Sequence, residues 1–264
     1  MFKTLKRYLK IWWVLTINSF MISLVSRFGA TLFLLGKIIR FFFFLTILIV
    51  VVSKIKTLAG YNLSQTIFFF LTFNLIDITA QLFLREVYRF RPLVVSGNFD
   101  LVLSKPVSPL FRVLLGGADF LDLITLVPLI SGVCYAGLKL GGLLLFNVIL
   151  FLLLYLNGFL IAVSFHILVL SLGVLTTEVD NLIMIYRDFT QTGRIPIDVY
   201  QEPIRSFLTF IIPIAVMITF PAKALMGLLS AQGVILSFFI SGIFLFLSLK
   251  IWRYALSKYS SASS

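Results

Sequence analysis

Charged residues are scarce in this chain, and their scarcity excludes an ordinary soluble domain. Only 12% of its 264 residues are Asp, Glu, Lys or Arg, whereas 60% are hydrophobic. Soluble domains carry about twice that share of charge. Several apolar runs reach the roughly 20 residues that a helix needs to cross ~30 Å of hydrocarbon. The composition therefore predicts an all-α integral membrane protein.

Side chains for metal, redox and nucleophilic chemistry are nearly missing. The chain has one cysteine, Cys134, and one histidine, His166, each within an apolar run. One cysteine excludes an internal disulfide, and one histidine excludes a multi-histidine metal site. The sequence contains no Gly-x-Ser-x-Gly elbow, and residues 29–37 lack the spacing and hydroxyl residue of a phosphate-binding loop. We predict no catalytic residue, no metal site and no cofactor within this chain.

Acidic residues number 10 against 22 basic ones, which gives a formal net charge of +12. Nucleic-acid binding would explain such a charge, but the sequence shows no soluble domain with a basic surface. In membrane proteins, excess Lys and Arg holds cytoplasmic segments against anionic lipid. We therefore expect contact with membrane lipids and no nucleic-acid partner.

Residues 2–26 are predicted to form an interfacial elbow helix. Lys3, Lys6, Arg7 and Lys10 share one helical face, and apolar residues such as Trp12 occupy the rest of the surface. The alternative is a spanning helix over 11–25, which is shorter than the ~20 residues that a span requires.

Hydropathy predicts further spans at about 30–52, 63–84, 116–138, 142–163 and 233–252. Residues 165–228 allow two arrangements. In the first, 165–187 is the fifth span and 195–228 is an outer element that enters the membrane without crossing it. In the second, the fourth helix is long, 175–205 is cytoplasmic and 207–228 is the fifth span. Both give six crossings with both termini inside, and the positive-inside rule favours the second.

A few polar residues interrupt the hydrophobic segments and are candidates for a translocation path. They are Asn74, Asp77, Gln81 and Glu178. The first three recur every three to four residues and therefore form one polar stripe on their helix, which should face protein or a cavity. Hydrogen bonding between helices is the alternative explanation. Lys37 and Arg40, in the first span, are expected to snorkel to the cytoplasmic face.

Residues 85–112 are the first long polar stretch after the N-terminus, with hydrophobic segments on both sides. If those segments span a membrane, the stretch is a structured loop on one face. Gly97 favours a turn, and Asp100 favours the start of a following helix. Arg89 and Arg91 suit carboxylates on a partner. The alternative is an ordinary basic loop in contact with lipid.

At this loop the chain resembles the permease subunits of ABC-2 type ABC exporters, particularly bacterial ones with Gly-x-x-Asp-x-x-Leu-x-x-Pro between spans two and three. The matching residues are Gly97, Asp100, Leu103 and Pro106, followed by Pro109 and Leu110. A second similarity is the run Arg-Ile-Pro-Ile-Asp-Val-Tyr at 194–200, followed by Pro213 and Pro221. The resemblance covers essentially the whole chain.

The resemblance implies six transmembrane helices, an N-terminal interfacial elbow helix and a re-entrant outer helical element before the last span. It thereby favours the first arrangement of 165–228. It also implies a second permease chain, in a homodimer or heterodimer, and a separate cytoplasmic ATPase subunit that would hold ATP and Mg²⁺. In this family 85–112 would be the coupling loop that the ATPase binds. The residues implied in that contact are Arg89, Arg91, Gly97, Asp100, Pro106 and Pro109.

The sequence thus predicts a non-enzymatic permease subunit of an ABC exporter in the bacterial cytoplasmic membrane, moving an amphiphilic or hydrophobic substrate. The alternative is a non-transport membrane scaffold or a membrane-embedded lipid-modifying protein. An enzyme would need convergent polar side chains at one depth, and the polar residues of the spans are sparse and include no evident nucleophile.

Overall fold

The computed structural model describes residues 2–25, 27–141 and 144–260, without the side chains of residues 2, 3 and 24. The side chain of Lys3, predicted to lie on the basic face of the first helix, is outside the described part of the chain. The same holds for residue 142, where the fourth span is predicted to start. The helices are α1 (Phe2–Val25), α2 (Arg27–Ile55), α3 (Leu63–Leu84), α4 (Phe90–Val95), α5 (Phe99–Leu103), α6 (Pro109–Leu114), α7 (Phe120–Lys139), α8 (Leu145–Thr176), α9 (Val179–Gln191), α10 (Ile204–Ile211), α11 (Ala215–Leu225) and α12 (Ala231–Lys258).

The prediction of an all-α integral membrane protein is confirmed. In the described ranges, five helical segments are long and apolar enough to cross a membrane, and a bent pair of helices brings the number to as many as six. The five segments contain α2, α3, α7, α8 and α12, and the bent pair is α10 with α11.

The long helices run between two ends of a bundle. The near end holds the connection between α3 and α7, which is residues 85–119, and the far end holds the connection between α2 and α3, which is residues 56–62. Helix α12 reaches the near end, since the Tyr259 ring lies 5.2 Å from the Phe99 ring. Helix α8 reaches it as well, because Phe90 packs against Gly173.

Helix α1 lies across the near end. Its Trp12 ring stacks 5.9 Å from Phe83 at the end of α3, and its Phe20 ring lies 5.2 Å from Phe120 at the start of α7. The hydroxyl of Thr16 accepts a hydrogen bond from the Ala118 amide at 3.2 Å. The outer side of α1 carries exposed apolar side chains, among them Leu5, Leu9, Trp13 and Ile22. The predicted helix over 2–26 is thus present, and its place in the membrane interface stays a prediction.

Helix ends follow local capping, and this explains most differences from the predicted boundaries. Helix α3 has the predicted bounds, because Asn62 and Gln65 form a reciprocal capping box at its start. Helix α7 begins at Phe120 rather than at 116, because the Asp119 carboxylate caps the amide of Leu121 at 2.8 Å. Helices α2 and α12 each extend a few residues beyond the predicted spans at both ends.

The predicted division between a helix at 142–163 and another at 165–187 is not observed. Residues Leu145–Thr176 form one helix of 32 residues, roughly 48 Å long at 1.5 Å per residue. No proline interrupts this stretch, and the helix ends only where Thr177 adopts a left-handed conformation with φ of 61°. The next helix, α9, begins ten or more residues later than the predicted fifth span.

Residues 179–198 pass from the near end of the bundle to the far end. Val179 packs over Gly173 at the near end. Asp198 accepts a hydrogen bond from the Tyr61 hydroxyl at 3.0 Å at the far end. Only the first part of this passage is the regular helix α9, which at 13 residues is too short to be recognised as a span by itself.

Residues 198–223 leave the far end and return to it. Lys223 Nζ lies 2.8 Å from Asp198 Oδ1, so both ends of the segment meet at one place. Between them, α10 and α11 meet at a bend of 77°. Within the bundle, the Phe207 ring lies 6.2 Å from the Phe189 ring of α9. The segment thus leaves and returns at the same end of the bundle, and we call it the re-entrant element. Its place in the membrane stays a prediction.

Helices α8, α11 and α12 pack closely in the interior. A Cβ at Gly158 of α8 would overlap the Met217 carbonyl, so only glycine permits this approach. The Asn157 amide donates to Ser237 Oγ at 2.7 Å, and Ser241 donates to the Asn157 carbonyl oxygen. Such hydrogen bonds hold helices together where water is excluded.

Candidate functional site

Residues 85–114 fold into a compact group of short helices, which we call the near-end unit. It contains the predicted coupling loop 85–112. Its buried apolar side chains, which belong to the continuous core of the bundle, are Val87, Phe90, Val94, Phe99, Val102, Val113 and Leu114. Gly97 makes the predicted turn between α4 and α5 with φ of 72°, a conformation that favours glycine.

Phe99 fixes the near-end unit to the end of α12. Its side chain is fully buried, and its ring contacts Phe90 and Tyr259 edge-on, each at 5.2 Å between centroids. Burial raises the pKa of Tyr259, and the nearby carboxylate of Asp100 raises it further. Asp100 therefore faces the C-terminal end of the chain. It lies within the first turn of α5, while the N-cap position expected for it belongs to Asn98.

The two arginines predicted to meet a partner are engaged within the chain. Arg91 Nη1 lies 3.1 Å from Asp180 Oδ2, which connects α4 to the start of α9. Arg89 Nη1 lies 3.6 Å from Glu86 Oε2, and Glu86 also pairs with Arg112 at 2.8 Å. About half of the Arg89 and Arg91 side-chain surface remains exposed, so both also present charge to the outside.

Of the two prolines in the predicted contact set, Pro106 joins the near-end unit to α1 and Pro109 begins α6. The Pro106 carbonyl accepts a hydrogen bond from Arg7 Nη2 at 2.6 Å. The Tyr8 hydroxyl accepts one from the Ser108 amide at 3.1 Å. Pro109 is the first residue of α6, where its fixed φ and missing N–H suit a helix start.

Two large apolar side chains on the near-end unit point away from its core. Val95 is 59% exposed and Leu101 is 61% exposed. Exposed polar residues lie close to them in the sequence, including Asn98, Ser104 and Lys105. Sequence reasoning missed this apolar pair, because the direction of each side chain depends on the burial of Phe99 beside it. An apolar patch within a polar rim is typical of a protein interaction surface.

A cavity of about 550 Å³ lies between α2, α3 and α7. Its polar lining consists of Lys37, Arg40, Ser64, Asn74, Asp77, Gln81, Thr125, Lys139 and Arg194. Most of the remaining lining is apolar, including Phe41, Phe44 and Phe70. The cavity thus brings together three of the four residues proposed for a translocation path.

The polar stripe on α3 is partly satisfied by local hydrogen bonds. Gln81 Nε2 donates to Asp77 Oδ2 at 2.8 Å, and Asn74 Nδ2 donates to the Phe70 carbonyl at 2.7 Å. Glu178 is not part of the cavity lining. It precedes α9 at the near end, where its carboxylate accepts a hydrogen bond from Asn181 at 2.5 Å.

Cations converge on Asp77 from separate parts of the chain. Its carboxylate is subject to the charges of Arg187, Arg40, Lys37 and Arg194. Lys37 does not snorkel as expected, because it forms an ion pair with Asp122 of α7. The Arg194 guanidinium lies 4.9 Å above the Phe44 ring. Sequence reasoning missed Arg187 and Arg194, since only the passage of 179–198 through the bundle brings them to α3.

Helix α9 connects the near-end unit with the cavity. Its first turn carries Asp180, which pairs with Arg91. About two turns further along the same helix, Arg187 acts on Asp77.

The chain matches one protein family, described as "ABC-2 family transporter protein", over residues 13–263. No curated protein and no solved structure is detectably similar to it. The matched range contains the near-end unit, the cavity and the re-entrant element, and it confirms the resemblance found in the loop motif. This multi-pass membrane protein therefore belongs to the ABC-2 transporter family and is the permease subunit of an ABC transporter.

Proposed function

We propose that the chain is an exporter permease whose near-end unit binds a cytoplasmic ABC ATPase and whose α2–α3–α7 cavity belongs to the translocation path. The observation that carries this proposal is the packing of the near-end unit on the junction between α8 and α9. Phe90 lies against Gly173 of α8, and Asp180 of α9 pairs with Arg91 of the near-end unit.

The near-end unit has the surface expected of an ATPase-binding element. Val95 and Leu101 form its exposed apolar patch, and Arg89, Arg91 and Lys105 add positive charge around it. Arginine pairs well with carboxylates of a partner. The excess of Lys and Arg at this end supports a cytoplasmic location, with both termini inside the bacterial cytoplasmic membrane. ATP and Mg²⁺ would bind to the ATPase subunit.

The ATPase would move the near-end unit as a rigid body. Packing of Phe90 against Gly173 and Val179 makes the main connection to the α8–α9 junction. The Arg91–Asp180 pair is half exposed and adds only about 0.2–1 kcal/mol. Movement of α9 would then shift Arg187 relative to Asp77, which changes the charge distribution of the cavity.

The exposed side of α9 supports a second permease chain. This side carries Asn181, Met184, Ile185 and Asp188. Asp188 lies between two and three turns from the start of α9 and is exposed, although the passage it belongs to crosses the bundle. An ionised side chain at such a depth is costly against lipid. We infer that a second copy or a related permease covers this side and encloses a polar path.

Substitution of the exposed patch tests this function. Leu101→Asp should reduce the amount of ATPase that co-purifies with the tagged chain by about tenfold or more, and ATP-dependent transport should fall with it. The control is Leu228→Asp at the far end, where the side chain is 51% exposed, and it should retain the ATPase. Equal ATPase content in both variants would contradict the docking role and favour a scaffold or lipid-modifying protein.

A further inference from the structure

The cavity contains more positive than negative charge. Lys37, Arg40, Lys139 and Arg194 line it together with one carboxylate, Asp77, and Lys37 also forms an ion pair with Asp122. Four cations against two carboxylates leave a surplus of two positive charges. Because charge is costly inside a membrane, a surplus at this depth calls for a ligand of opposite charge.

The surplus comes from Arg40, Lys139 and Arg194. In the part of the chain that the structure describes, no carboxylate oxygen lies within 4.0 Å of a charged nitrogen of these three side chains. Arg194 lies over the rings of Phe44 and Phe73, at 4.9 and 5.8 Å. A cation–π contact leaves the guanidinium donors free to bind an anion.

The remaining walls suit a hydrocarbon chain, and the cavity opens sideways. Helices α2 and α7 each pack against α3, and the cavity lies between them. Exposed apolar side chains flank this opening on both helices, namely Ile38, Phe42, Ile124 and Tyr135. An amphiphile could therefore hold its headgroup beside the arginines while its chain extends through the gap toward lipid.

We propose that this cavity binds an amphiphile with an anionic headgroup, a phosphate or a carboxylate, and that Arg40 and Arg194 hold that headgroup. Guanidinium groups bind both kinds of oxyanion with paired, charge-assisted hydrogen bonds. The inference names the substrate class of the proposed exporter and rests on that function for its role in transport. Binding itself requires neither ATP nor the ATPase.

Binding of three probes to the purified full-length chain in phosphatidylcholine nanodiscs tests the charge preference. Dodecyl phosphate should bind at least about tenfold more tightly than dodecyl maltoside or dodecyltrimethylammonium, because they share the chain and differ in headgroup charge. Equal or tighter binding of the cationic probe would overturn the proposal. Inorganic phosphate should bind far more weakly, and binding as tight as that of dodecyl phosphate would overturn the amphiphile requirement.

Single substitutions assign the preference to the arginines. Arg40→Gln and Arg194→Gln should each weaken the binding of dodecyl phosphate about tenfold and leave that of dodecyl maltoside unchanged. The matched control is Lys54→Gln, because Lys54 is exposed and does not line the cavity. Equal losses in the control and the arginine variants would refute the assignment.

Asp77→Asn keeps the proposal testable if an arginine variant does not fold. Removal of one negative charge raises the surplus, so dodecyl phosphate should bind several-fold more tightly. Unchanged or weaker binding in this variant would count against the proposal. These assays contain no ATPase and therefore test binding separately from transport. If the chain selects dodecyl phosphate but binds no ATPase, the proposed exporter function is rejected and the proposed ligand class is kept.

Discussion

Replacement of Phe99 by alanine should detach the near-end unit from α12. Phe99 is fully buried between the rings of Phe90 and Tyr259. Loss of a buried phenylalanine side chain costs about 3–5 kcal/mol, a range that includes the two aromatic contacts. Because the near-end unit is small and Phe99 lies at its contact with Tyr259, most of this cost should appear as local opening.

Hydrogen exchange measures that opening directly. At about 1.4 kcal/mol per factor of ten, a loss of 3 kcal/mol accelerates exchange more than roughly 100-fold where exchange follows the opening equilibrium. Amides of α4 and α5 should show this acceleration in Phe99→Ala, while amides of α8 keep their protection. Leu101→Ala is the matched control, since it lies in the same short helix and is 61% exposed. Its effect should stay within about 0.5 kcal/mol, or roughly twofold.

The two variants should also separate stability from partner binding. Leu101→Ala should weaken ATPase docking and preserve local stability, whereas Phe99→Ala should retain the apolar patch but transmit ATPase movement poorly. Similar exchange rates in both variants would show that Phe99 does not attach the unit to α12, and the proposed mechanical connection would then be wrong.

Three further predictions concern the bundle itself. Gly158→Ala should lower stability by about 1–3 kcal/mol, because the added Cβ would overlap the backbone of the re-entrant element. Gly36→Ala is the control and should have no such effect, because open space surrounds Gly36. Thermal unfolding of the two variants measures the difference. Asp122→Asn should destabilise the fold by about 3–5 kcal/mol, because it leaves Lys37 unpaired. The double variant that also carries Lys37→Met should recover much of this loss in thermal unfolding. Burial and a neighbouring carboxylate raise the pKa of Tyr61 above its ordinary value of about 10. The contribution of Tyr61 to the free energy of unfolding should therefore be complete below about pH 10 and decline as the pH rises above that value. Tyr61→Phe should flatten that decline, and an unchanged alkaline dependence of the unfolding temperature would contradict the assignment.

The predicted and observed helices agree where local chemistry sets a boundary. Asn62 and Gln65 determine the start of α3 through their own side chains, so the sequence alone suffices there. Hydropathy with a typical span length predicts two helices where α8 is a single one, because the stretch contains no helix breaker that would mark its true end. The passage 179–198 was misplaced because its second half is irregular, and hydropathy windows favour continuous helix.

In the candidate site too, residues whose placement follows from local sequence were predicted, and residues whose placement depends on distant parts of the chain were not. Asn74, Asp77 and Gln81 were found because helical spacing places them on one face. Arg187 and Arg194 interact with residues of α3 that lie more than 100 positions earlier in the sequence. No local sequence pattern predicts such an interaction.

Site-specific crosslinking tests the central claim, which is that the near-end unit binds the ATPase. In a Cys134→Ser background, Leu101→Cys should crosslink to the co-expressed ATPase in membranes, because this side chain is exposed at the centre of the proposed surface. Leu228→Cys, exposed at the far end, should give no such product. A crosslink from Leu228→Cys together with none from Leu101→Cys would contradict the account.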